Sequence, residues 1–189
     1  EFRRVLFRSA QGEDRDAEAD ALYREIIARG NRHPPLAHNL GLIRMTCGDL
    51  MEAESLFREA LALKPDYPIE WSSLGSVLHL NQRVDEAAHA FSEAMRLRPD
   101  YAEAALNLAI LLRETNRPDE ALGHADRAIA LSPDLAQAHW LRGRLLDDRG
   151  HGVAASVAYA RAAELDPESL HIRGALLMAR RTNSDWQDD

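Results

Sequence analysis

The chain has 189 residues, 23 of them basic and 31 acidic, for a formal charge of −8. An acidic balance makes it a poor partner for phosphate backbones, which excludes nucleic acid as a ligand class. The single cysteine, Cys47, excludes an intrachain disulfide and a cysteine metal cluster. No apolar run approaches the roughly 18 residues of a membrane span, so no membrane partner is expected and the cytoplasm is the default compartment.

Residues 1–9, EFRRVLFRS, are basic in an acidic chain and share no pattern with the remaining residues. They match the translation of GAG TTC AGA CGT GTG CTC TTC CGA TCT, which resembles a sequencing-library adapter read as coding sequence. They are set aside as non-native. The natural N-terminus is then expected to be missing, together with any signal peptide. Residues 10–33 hold one amphipathic pattern, with Ala19, Tyr23 and Asn31 at spacings that recur downstream. It reads as the second helix of a pair whose first helix is absent.

From there the apolar spacing predicts helices near 35–47, 50–63, 68–81, 84–97, 102–115, 118–131, 136–149, 152–165 and 170–181. The copies run 34–67, 68–101, 102–135 and 136–169. Pro65, Pro99, Pro133 and Pro167 each close a copy, 34 residues apart, and Ala53, Ala87, Ala121 and Ala155 keep the same step. Residues 170–181 form a further first helix that either caps the array or has lost its partner, and 182–189 are a polar tail. Open repeat ends leave apolar faces, so self-association through them is expected.

Aligned on the prolines, the copies share a small residue in the first helix (Gly41, Gly75, Ala109, Gly143). An alanine and then an aromatic follow in the second helix (Phe57, Phe91 and Tyr159, but Ala125 in the third copy). Gly75 and Ala87 fall where two helices of a pair come closest, and Phe91 fills the wedge beside them. Looser packing is expected at Ala125. This pattern resembles the tetratricopeptide repeat, over residues 15–181. The resemblance implies an all-α, right-handed α-solenoid of helix-turn-helix units, whose first helices line a concave groove that binds an extended protein or peptide segment.

Catalytic patterns are not found. There is no glycine-rich phosphate loop, no HExxH and no ligand spacing for a metal, so no cofactor is expected. The histidines are scattered and read as solvated surface groups; Asp and Glu follow helix starts and exposed faces. The chain as given is expected to be no enzyme, with a longer parent left open.

Binding is the better candidate. The sixth position of each copy holds Asn39, Ser73, Asn107 and Leu141. This is similar to the asparagine ladder of protein O-linked N-acetylglucosamine transferases, in which amides pair with a peptide backbone. That likeness carries over to Asn39 and Asn107 alone. The second, fifth, sixth, ninth, twelfth and thirteenth positions are expected to point into the groove, which adds His38, Leu42, Met45, Ser72, Ser76, His79, Leu106, Ile110, Arg113, Trp140, Arg144 and Asp147, with Trp140 and Arg144 one turn apart as an anchor. Trp140 packed against helix 170–181 is the competing reading. Lys64 is the only lysine and lies at the end of a second helix, so a clamp for a C-terminal carboxylate is not expected. Asp185-Trp186 is similar to the hand-over segment of bacterial transferase-like proteins. The alternative function is therefore the substrate-recruiting arm of a glycosyltransferase or another transferase.

Overall fold

The computed structural model describes residues 21–23, 25–26 and 33–184, with side chains to Arg181. Among these residues every regular element is an α-helix. They are α1 (Pro34–Thr46), α2 (Leu50–Leu63), α3 (Pro68–Leu80), α4 (Val84–Leu97), α5 (Ala102–Glu114), α6 (Pro118–Leu131), α7 (Ala136–Asp147), α8 (Gly152–Leu165) and α9 (Leu170–Ser184). Residues 21–23 and 25–26 are helical too. The ends depart from the sequence expectation by at most three residues. The segment 1–9, Ala19, Asn31 and Asp185-Trp186 lie outside the described residues.

The turn after each first helix is built one way in all four copies. Gly48, Gln82, Asn116 and Gly150, 34 residues apart, have φ of 81°, 62°, 58° and 77°. The next amide then reaches back to the helix: Asp49 N–H to Arg44 O at 2.9 Å, and Arg117 N–H to Leu112 O at 2.8 Å. This left-handed cap satisfies a carbonyl that the helix end would otherwise strand. Proline at the start of α1, α3 and α6 loses no hydrogen bond there, because first-turn amides have no intrahelical acceptor.

The chain divides into two compact units, Glu1–Ala87 and Ala88–Asp189. In the first, α1 packs on α2 and α2 on α3. A Cβ at Gly41 would lie 2.6 Å from a ring carbon of the fully buried Phe57, so the aromatic sits on the glycine backbone itself. Tyr23, from the preceding half repeat, joins Leu40, Ile43 and Leu56 in one core cluster. The pair is then tied by charge. Arg83 Nη1 donates to both Glu54 oxygens at 2.7 and 2.8 Å, while its Nε and Nη2 donate to Glu86 at 2.7 and 2.6 Å.

In the second unit α5 pairs with α6, α7 with α8, and α9 packs on α8. Gly143 repeats the close approach, 2.6 Å from Tyr159 ring carbons. Leu146, Ala155, Tyr159 and Ala179 form the core there, with Leu122, Trp140, Ala175 and Leu176 against it. In the third copy Ala109 and Ala125 are both fully buried. The missing aromatic therefore opens no path to solvent at either alanine.

His124 on α6 breaks the expectation of solvated histidines. Its Nδ1 is buried, with no hydrogen-bond partner among the described residues. Burial holds its pKa below the ordinary histidine value; Arg127 adds to this and Glu120 opposes it. A depressed histidine contributes its full stability above the unfolded value of roughly 6.5, and loses it as pH falls through the lower folded value. The urea midpoint is expected to fall between pH 7.5 and 5.0, and to fall less in His124→Gln. Glu86 and Glu120, held below the usual carboxylate range by Arg83 and Arg117, lose their contribution only at lower pH.

Candidate functional site on the first helices

The expected site residues lie on first helices, so the register of each copy decides what is open. At the ninth position Leu42, Ser76, Ile110 and Arg144 are all half-buried. At the twelfth, Met45, His79 and Arg113 are half-buried and Asp147 is exposed. The fifth and sixth positions divide. Ser72, Leu106 and Leu141 are buried and offer a ligand almost no surface, whereas His38, Asn39, Ser73, Asn107 and Trp140 keep part of theirs. Here packing has taken positions that the repeat pattern assigned to recognition.

In the first unit several of these groups already have partners. His38 Nδ1 lies 2.5 Å from Glu70 Oε2, and its ring tilts against Phe57 at 5.9 Å. The Asn39 side chain hydrogen-bonds Tyr23, whose hydroxyl is pushed up in pKa by burial, with that bond acting in the opposite direction. Ser76 Oγ donates to Ser72 O at 3.0 Å, the usual back-bond of a helical serine.

Glu70 is the residue that sequence reasoning missed. It is fully buried on the first turn of α3, and its Oε1 has no hydrogen-bond partner among the described residues. The expectation that carboxylates lie on exposed faces fails here and at Glu54. The signal was present in the register: the positions one and two repeats from Glu70 hold Leu36, Ala104 and Ala138. A carboxylate on an otherwise apolar position requires a partner, and one repeat back His38 supplies it.

In the second unit, Arg113 Nε donates to Asp148 Oδ2 at 3.3 Å. Trp140 meets the edge of His171 on α9 at 5.3 Å, and the Arg144 guanidinium lies 5.7 Å from the indole centroid. Trp140 thus packs against the last helix and also holds the arginine one turn on. Asn107 is half-buried, with no hydrogen bond to its amide among the described residues. Lys64 caps α2, its Nζ over the Tyr67 ring at 4.6 Å. No group of three His, Cys, Asp or Glu is placed to hold a metal ion among the described residues. No helix there is long and apolar enough to cross a membrane.

A tetratricopeptide repeat family model matches residues 38–102, 74–136 and 106–169. The chain belongs to the tetratricopeptide repeat family. Among curated proteins none matches it. Among solved structures it is similar to the thermophilic tetratricopeptide repeat protein TTC0263 of Thermus thermophilus, at TM-score 0.78 and 21% identity, covering 94% of this chain and 95% of that one. It is similar also to MamA of Desulfovibrio magneticus RS-1, at TM-score 0.69 and 21% identity over 82% and 88% of the two chains. A third is YrrB, a repeat protein described as having an unusual peptide-binding site, at TM-score 0.66 and 20% identity over 88% and 85%. At these identities the likeness is one of fold.

Proposed function

We propose that this tetratricopeptide repeat chain is a protein-interaction module that binds an extended peptide segment along the faces of its first helices. The reading rests on one observation. The ninth and twelfth positions stay at least partly open in all four copies, whereas the fifth or the sixth is closed by packing in three of them. YrrB, with its peptide-binding site, adds support from a protein of the same fold. The first unit offers His38, Asn39, Met45, Ser73, Ser76 and His79; the second offers Asn107, Arg113, Trp140 and Arg144.

The transferase resemblance narrows to fewer residues. Asn39 is engaged with Tyr23, and Asp185-Trp186 lies outside the described residues. Asn107 becomes the group through which a peptide backbone is read, since an amide donates and accepts at once.

The test starts from peptides selected against the purified chain from an unstructured display library. Asn107→Ala is expected to weaken them up to about tenfold, the worth of one hydrogen bond, without changing the melting temperature. Arg144→Ala is expected to weaken them too. Affinity indifferent to both variants removes the first-helix reading.

A further inference from the structure

We propose that Arg144 and the hydroxyl of Tyr159 form a subsite for one carboxylate, the side chain of an aspartate or glutamate in a bound peptide. This rests on the first-helix reading above and deepens it, adding the chemical class of one ligand residue and a contact made by a second helix.

Tyr159 is the aromatic that closes on Gly143, at the register held by Phe57, Phe91 and Ala125 in the other full copies. The fourth copy alone among them brings a hydroxyl to this place. Tyr23 of the half repeat stands at the same register, and its hydroxyl is bonded to Asn39, sixteen residues on. Sixteen residues after Tyr159 comes Ala175, which has no side-chain acceptor. Tyr159 is 1% exposed, and its hydroxyl has no hydrogen bond among the described residues. A buried donor of this kind takes its acceptor from water or from a ligand. The charges that act on the hydroxyl show from which side: Asp147, Arg144, Asp148 and Arg113. They stand at the ninth, twelfth and thirteenth positions of α5 and α7, which the repeat pattern turns to the groove. Burial, and then Asp147, push the phenol up to about 12, so it stays a donor across the neutral range.

Arg144 supplies the charge. The ninth position is Leu42, Ser76 and Ile110 in the other copies. Asp147 and Asp148 follow three and four residues on, a spacing at which helical ion pairs form. Asp148 is instead paired with Arg113 at 3.3 Å, and Arg144 has no ion pair among the described residues. Its guanidinium lies 5.7 Å from the Trp140 ring centroid, and Trp140 is itself held by the edge of His171 at 5.3 Å. A guanidinium resting on an aromatic ring keeps its forked N–H groups for a carboxylate. With Arg113 offset by Asp148, one positive charge remains at Arg144 and one negative charge beside it at Asp147. A single carboxylate matches Arg144, whereas a dianionic phosphate sets a second charge against Asp147.

The probes are peptides selected from an unstructured display library against the purified chain, and a parallel set selected against Arg144→Gln. The first set is expected to be enriched in aspartate or glutamate at one position, and the second to lack that enrichment. In the tightest peptide of the first set, exchanging that acid for its amide is expected to weaken binding about tenfold, the worth of a charge-assisted hydrogen bond. Against Arg144→Gln the same exchange is expected to change nothing. Tyr159→Phe is expected to weaken the acidic peptide about fivefold, as loss of one hydrogen bond does, and the amide peptide less. Phenylalanine keeps the ring on Gly143, as Phe57 does on Gly41, and an unchanged thermal melt establishes that the variant is folded. Peptides that are weakened by Asn107→Ala but show no acidic enrichment, or are indifferent to Tyr159→Phe, overturn this inference and leave the first-helix reading standing. Selection of no peptide, or of peptides indifferent to both Asn107→Ala and Arg144→Ala, removes the two together. Tighter binding when phosphoserine replaces the acid overturns the assignment to a carboxylate.

Discussion

Gly143→Ala is expected to lower the unfolding free energy by about 1–2 kcal/mol, although alanine is the better helix former. The added methyl would lie 2.6 Å from two Tyr159 ring carbons and 3.1 Å from Cγ. Cγ stays close to its own backbone, so the ring cannot swing clear and the helices must part. Overpacking of this kind costs about 1–3 kcal/mol, against about 0.5–1 gained from removing a helical glycine. Tyr159→Ala is expected to cost about 3–5 kcal/mol, the usual penalty for a buried aromatic. The double variant is the sharper measurement. It recreates the Ala109 and Ala125 pair of the third copy, which the chain already tolerates in a fully buried setting. Its loss is expected to fall short of the sum of the two singles by about 1 kcal/mol or more, because the clash disappears with the ring. Urea unfolding followed by circular dichroism gives all four values, and strict additivity would mean that glycine and tyrosine do not share the site.

The second large effect concerns His38 and Glu70. His38→Leu removes the one hydrogen-bond partner that a fully buried carboxylate oxygen has, and leaves the other oxygen as bare as before. Breaking a buried pair from one side costs about 3–5 kcal/mol, since the stranded charge cannot reach water. Replacing both partners has a different expected outcome. His38→Leu with Glu70→Ala reproduces Leu106 and Ala138, the residues at the same two positions in later copies, both of which are buried. That variant is expected to be within about 1 kcal/mol of the starting protein or more stable, as apolar replacements of buried ion pairs often are. A double variant as damaged as the single would show that His38 contributes through its packing on Phe57, not through the carboxylate.

Most of the helical architecture was legible from spacing. The 34-residue step of Pro65, Pro99, Pro133 and Pro167 gave the hairpin length, and the eighth-position glycines marked where an aromatic closes on the backbone. Tyr23 was likewise recognised as the aromatic of a half repeat, and it sits in the core with Leu40 and Ile43. The site was less legible. The repeat pattern treats every first-helix position as equivalent across copies, so it placed Ser72, Leu106 and Leu141 with the recognition residues. All three are buried. It also left His38 as a surface histidine, because the pattern holds no information on which side chains one repeat apart face each other.

The sequence by itself determined the repeat family, the helix order and the small-against-aromatic contact, because each follows from distances along one chain of nearly fixed geometry. Only the tertiary structure decided which first-helix side chains remain open, that Asn39 is held by Tyr23, and that Glu70 is buried against His38. Those outcomes depend on how side chains from separate helices share a limited volume. Volume is partitioned in space between residues that lie whole helices apart along the chain, and no local pattern records that partition.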